Sequence, residues 1–200
     1  MAWGTATTSA LLTTDANFEA FDDGTNAIVL SLNPRELVDL VFSIASEIGE
    51  ADDLEIQILG GSRIINNGIT GTITSDTVID LAAGDNEAND FYMGMYFLMT
   101  TGGEIKDVRE IVDYVSSTDA ATLVRALSGT PTITETYDIF HMRAIAQFII
   151  TAETVLTEDL PQNAGVTISG VPFVIARARS TGATDAHIAL MTYRVDGVSI

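Results

Sequence analysis

The chain has no cysteine. That excludes a disulfide framework, thiol chemistry and zinc sites built on thiolates. It has one lysine, Lys106, and nine basic residues in all, against 28 acidic ones, for a formal net charge of −19. The acid count is ordinary, so the imbalance comes mostly from missing bases. Such a surface repels phosphate backbones and anionic headgroups, which argues against nucleic-acid and membrane partners. It suits a protein bathed in high salt, where screening removes self-repulsion. No Asn-x-Ser/Thr acceptor occurs, and no apolar run reaches the roughly 20 residues that a membrane helix needs. The opening "MAWGTATTSALLTTDANF" lacks the basic start and apolar run of a secretory leader. Only two histidines are present, His141 and His187, neither at metal-binding spacing. His141 reads as a half-buried strand residue. No nucleophile elbow or phosphate loop occurs, so no catalytic residue and no cofactor site is assigned.

What is present is β-forming. The chain has 200 residues, 46% of them hydrophobic, enough for one large domain or two small ones. Apolar runs are short and rich in β-branched residues. Turn pairs recur at Asp23-Gly24, Gly60-Gly61, Asn67-Gly68, Gly102-Gly103, Ser128-Gly129 and Asp196-Gly197. Strands punctuated in this way predict an all-β sandwich or barrel. Asp196-Gly197 reads as a two-residue hairpin turn.

Residues 37–59 and 171–194 resemble each other. Each is an apolar strand, a polar turn with Gly and Asp, and an alternating strand, and so reads as a hairpin. Leu54, Ile56 and Ile58 share one face, with Glu55 and Gln57 on the other; Ile188 and Leu190 match the apolar set. These two hairpins predict a β-sandwich or jelly-roll-like domain built from the two ends of the chain, 1–84 and 141–200. A small barrel-like β module, 85–140, is inserted between them, and short helices are few.

Two segments carry both periods. Asn33-Pro34-Arg35-Glu36 has the form of a helix start, with Leu37, Leu40, Ile44 and Ile48 at helical spacing. Val38, Leu40, Phe42 and Ile44 also alternate, and β-branched content favours a strand. "EIKDVREIVDYV" is ambiguous in the same way.

"GDNEAND" imitates the first half of a calcium loop, but Asp90 stands at the glycine position and Tyr96 at the final glutamate. It reads as a solvated loop, so no metal site is assigned. The segment Phe91–Met99 contains only aromatic residues, methionine, leucine and glycine. As a strand it is apolar on both faces, which requires cover on both. Tyr92, Tyr96 and Leu98 lie on the second face and are candidates for contact with another subunit. Arg177 and Arg179 share one strand face. They are candidates for pairing with a neighbour's carboxylates, the alternative being an ordinary exposed face. Trp3, in the terminal arm, is the remaining interface candidate.

The stretch from Asp90 to Ile139 resembles a β module of structural proteins in tailed bacterial and archaeal viruses. The likeness rests on Asp90-Phe91-Tyr92, Gly102-Gly103 and the "R-x-I-x-x-Y" of Arg109, Ile111 and Tyr114. It continues through "T-x-x-V-x-x-A-L"-like Thr122 to Leu127, then Pro131, then Tyr137-Asp138-Ile139. The glycine usual before the last strand is absent; Thr134 and Glu135 stand there. The resemblance spans a quarter of the chain and resolves "EIKDVREIVDYV" as strand. It implies a non-enzymatic virion protein, made in the host cytoplasm and placed on the capsid exterior. Its expected role is head decoration or cement, as a homotrimer contacting the major capsid protein. A tail, neck or baseplate component and a carbohydrate-binding host-attachment sandwich are the alternatives.

Overall fold

The computed structural model describes residues 11–13, 18–22, 27–34, 36–48, 53–72, 75–82, 87–103, 107–150, 163–181 and 186–197. Among them the fold is all-β, with no helix. The strands are β1 (Leu11–Thr13), β2 (Glu19–Ala20), β3 (Val29–Ser31), β4 (Glu36–Ile48), β5 (Leu54–Ile69), β6 (Val78–Asp80) and β7 (Tyr96–Met99). They continue with β8 (Val108–Val115), β9 (Ala120–Leu123), β10 (Thr136–Ile150), β11 (Asn163–Ser169), β12 (Phe173–Ser180) and β13 (Ala186–Gly197).

The chain divides into two compact units. The first comprises Met1–Gly24, Ile28–Gly60 and Arg143–Ile200; the second comprises Thr25–Ala27 and Gly61–Met142. The boundaries at Gly60/Gly61 and Met142/Arg143 fall inside long strands, β5 and β10. The expected insert, 85–140, lies inside the second unit, which also takes in residues from Gly61 onward.

In the first unit one sheet has the order β1-β13-β4-β11. β4 is central because Val38, Leu40 and Phe42 alternate into the core, and its β-branched residues favour the extended chain. β12 and β5 are neighbours in the other strand order, β2-β12-β5-β10-β7-β8-β9-β6, with β3 also on β12. Leu54, Ile56 and Ile58 of β5 and Val174, Ala176 and Ala178 of β12 enter the same core as β4. Phe21 packs on Phe42 with ring centroids 5.5 Å apart.

The two similar segments are therefore not hairpins. The arms of each go to different sheets: β4 pairs with β13, and β5 with β12. Long apolar strands whose inner faces must meet are better served by facing each other across a core than by lying side by side. Asp196-Gly197 is likewise not a turn: the two residues continue β13 opposite Leu37 and Glu36.

Asn33 to Glu36 uses the chemistry of a helix cap to start a strand. The Glu36 amide donates to the Asn33 carbonyl at 2.9 Å, closing a turn. The Glu36 carboxylate accepts from the Asn33 amide and side chain, both at 2.9 Å. These bonds, the backbone one first, hold the Glu36 carboxyl below its usual range.

The second unit has its own core of Ile79, Phe97, Met99, Ile111, Leu123 and Tyr137, with further neighbours. Its sequence "EIKDVREIVDYV" contributes β8, and the helical stripe gives way to strand. A bulge lies between Ile111 and Asp113, where β8 meets β9. Gly60-Gly61 and Asn67-Gly68 lie within β5 and are not turns. At Gly61 a Cβ would run into the His141 carbonyl oxygen, and at Gly68 into the Tyr137 ring. These glycines are selected by close approach, which a scan for turn pairs misreads.

Candidate interaction surfaces

Arg177 and Arg179 project from the face of β12 opposite the core residues Val174, Ala176 and Ala178. Their partners come from β5 of the same unit. Arg177 donates through Nε to Gln57 Oε1 at 2.9 Å, and through Nη2 to the same oxygen. Arg179 Nε donates to Glu55 Oε2 at 2.5 Å, and Gln147 of β10 donates to Glu55 Oε1 at 2.6 Å. Both guanidinium groups stack over the Phe18 ring, at 4.4 and 4.6 Å from its centroid. Arg177 is buried. The pair is thus part of a cross-strand ladder inside one unit. The polar face of β5, Glu55 and Gln57, was legible in the alternation; its match to β12 depends on sheet order.

In the second unit, Arg109 is buried on β8. It donates from Nη2 to Asp107 Oδ1 at 2.8 Å and from Nε to the Ala126 carbonyl at 2.9 Å. Asp107 Oδ2 accepts from the Ser128 amide. This fully buried pair ties β8 to the chain leaving β9. Asp138, also buried, accepts from Arg63 at 3.2 Å and from the Asn67 amide at 2.8 Å. Neither pair was picked out from the sequence: Arg63 and Asp138 are joined by the fold across 75 positions, and Asp107 and Arg109, two apart, carry no spacing that marks their burial.

The apolar segment 91–99 is not one strand. Residues 89–94 form a turn, with Asp90 at φ +61° and Gly94 at φ +79°. Only Tyr96–Met99 is strand, and there Phe97, Leu98 and Met99 are all buried. Tyr92 is buried against Tyr114, centroids 4.8 Å apart and edge to face. Tyr96 is half-buried, and Leu98 is buried within its own unit. The exposed apolar side chains of the segment are Phe91, at 43%, and Met93, at 56%. The turn arises because a glycine in the left-handed region interrupts the alternation. Val112 and Val124 are exposed nearby: the Gly94 amide bonds the Ile111 carbonyl, and the Val124 amide bonds that of Glu110.

Trp3 lies outside the described residues. His141 is exposed on β10, not half-buried as expected. In the "GDNEAND" loop, Asn89 Oδ1 accepts from the Ser116 amide and hydroxyl at 2.9 and 2.8 Å. Among the described residues no group of three or more His, Asp or Glu side chains converges as a metal site would require.

The first unit also has a groove of about 410 Å³, lined by Arg143, Ile145 and Ala146 of β10 and by residues 166–171. A second hollow of about 300 Å³, lined by Leu32, Pro34, Gly170, Val171 and Pro172, shares two residues with it. Comparison of the chain with protein families, curated proteins and solved structures gives no match.

Proposed function

We propose that the protein is a structural component of a tailed virus particle, a head decoration or cement protein that acts by contact and not by catalysis. The observation that carries the reading is the placement of the residues that resemble the viral module. Of the residues that carry the likeness, Arg109, Ile111, Tyr114, Leu123, Leu127, Pro131, Tyr137 and Ile139 are buried in one compact unit, while Asp90, Phe91, Gly102, Gly103 and Val124 are exposed. Ile111, Tyr114, Leu123, Leu127, Tyr137 and Ile139 share that unit's core, so this part of the likeness falls on fold-determining positions. The exposed Phe91, Met93, Val112 and Val124 give that unit an apolar surface suited to a partner. The partners in this reading are the major capsid protein and further copies of the chain, as a homotrimer on the capsid exterior. A tail, neck or baseplate position in the same particle is the second reading, since the module resemblance is common to head and tail proteins.

The test is electron microscopy of particles from cultures that make the protein, labelled with an antibody to the purified chain. Label over the heads is expected. Label confined to tails would favour the second reading, and unlabelled particles would overturn both.

A further inference from the structure

We propose that the first unit, between the edge of β11 and the outer flank of β10, takes an extended, carboxylate-bearing peptide strand from a second protein. The inference does not depend on the virion reading.

Strand β11 ends its sheet order and pairs with β4 alone, in unbroken register from Asn163↔Ser43 to Ser169↔Leu37. Its outward backbone groups therefore have no strand partner among the described residues. Sheet edges are normally guarded by charge, proline, a bulge or brevity. Asn163–Ser169, "NAGVTIS", has no charge and no proline, is seven residues long and carries no bulge. The opposite edge of the same sheet, β1, is short at three residues.

Across the groove, β7 pairs only with Tyr137–Phe140 of β10. The outer side of β10 from Arg143 onward has no strand partner among the described residues. Between these edges, Ile145, Ala146, Val166, Ile168 and Val171, with Thr167 and Ser169 among them, line a floor of mixed polarity. A strand laid along β11 would complete its hydrogen bonds and place alternate side chains on that floor.

The charge of the occupant follows from Arg143. In the described part of this base-poor chain, Arg63, Arg109, Arg179 and Arg194 pair with carboxylates and Arg177 with Gln57. Arg143, exposed on the groove wall, has no hydrogen-bond or ion-pair partner among the described residues. An apolar strand bearing a carboxylate complements both the apolar side chains of the floor and this guanidinium.

The test uses the full chain, amide-resolved NMR and three capped heptapeptide probes. One alternates valine and glutamate, one alternates valine and lysine, and one is the glutamate peptide N-methylated along its pairing edge. The glutamate peptide is expected to shift the β11 amides and protect alternate ones from exchange. The lysine peptide should bind at least severalfold more weakly and the N-methylated peptide not at all. Arg143→Gln, a surface change, should lower affinity for the glutamate peptide about tenfold and leave the spectrum otherwise intact. Three results would overturn the proposal: no shift of β11 amides at millimolar peptide, equal binding of the acidic and basic peptides, or β11 amides already protected in the chain alone. In that last case, dependence on protein concentration would identify a second copy as the occupant, and independence would identify cover by the chain itself.

Discussion

Two residues are held in states that their chemistry resists. Thr134 has φ +89°, in the left-handed region that a β-branched residue enters only under strain. It stands in the turn before β10. The turn is fixed from outside by the Thr70 hydroxyl, which donates to the Thr132 carbonyl at 2.9 Å, and from within by the Thr132 amide, which donates to Glu135 Oε2 at 2.8 Å. Thr134→Gly should stabilise the protein by about 0.5–1 kcal/mol, the relief of strain exceeding the cost of a more flexible unfolded chain. Thr134→Ala, which keeps a Cβ, should gain far less; urea denaturation midpoints measure both. The second residue is Asp80. Burial, and then the nearby charge of Asp119, raise its carboxyl above the usual aspartate range. A raised acid favours its protonated form in the folded state. Its ionisation therefore costs stability as pH rises from the ordinary aspartate value through the raised one. Asp80→Asn should be stabilising at pH 7, and its advantage should fade as pH falls through that window. Thermal melting of both proteins across the acid range checks the sign. Asp39 works in the opposite direction. The Thr167 hydroxyl, at 2.5 Å, and then Arg194, at 2.7 Å, hold its carboxyl low. That contribution is present above the ordinary aspartate value and is lost as pH falls below it.

At the scale of elements, what was legible followed from alternation. β4, β5 and β12 carry their core residues at every second position, and the polar faces of β5 and β12 were visible before their pairing was; β8 does not, since its buried Val108, Ile111 and Tyr114 fall three apart across a bulge. Pairing was not legible, because strand order is a long-range property. Arg177 meets Gln57 across 120 positions of sequence, and no local spacing encodes that. Glycine misled for a physical reason. It serves turns and close approaches alike, and Gly61 and Gly68 serve the second. Gly61→Ala should destabilise by about 1–3 kcal/mol, the usual range for overpacking. The obstacle is the His141 carbonyl oxygen, a backbone atom that has no rotamer by which to yield. Chemical denaturation measures the loss; an unchanged midpoint would mean that β5 and β10 separate there with little cost. The helix-cap signal at Asn33 was real as hydrogen bonding and misleading as to element, since a turn before a strand needs the same donors satisfied. The apolar run 91–99 failed as a single strand at Gly94, where a positive φ ends the extended chain.

At the scale of the whole molecule, the scarce bases matter more than the many acids. Five of the eight arginines have hydrogen-bond or ion-pair partners named above, four of them carboxylates. The remaining carboxylates leave a large uncompensated charge that opposes the compact state. Added neutral salt should therefore raise the melting temperature even though it weakens the exposed ion pairs, because screening of the net repulsion is the larger effect. The apolar surface is the other molecular property, and it bears on the proposed role. Phe91 and Met93 are exposed in the turn beside the buried Tyr92, so their replacement leaves the Tyr92–Tyr114 contact in place. Phe91→Ser with Met93→Ser should leave the fold intact and cost about 0.5–1.5 kcal/mol of thermal stability, because Phe91 meets Tyr92 edge to face with ring centroids 4.9 Å apart. If this surface seats the protein on its particle, the same double variant should lose affinity for undecorated heads by at least tenfold, because truncating exposed anchors at the centre of an interface removes its largest contributions. Co-sedimentation with such heads reads the affinity, and circular dichroism reads the fold. A variant that is folded and binds as before would place the contact elsewhere on the molecule. One that is unfolded would show that the two side chains serve the core despite their exposure.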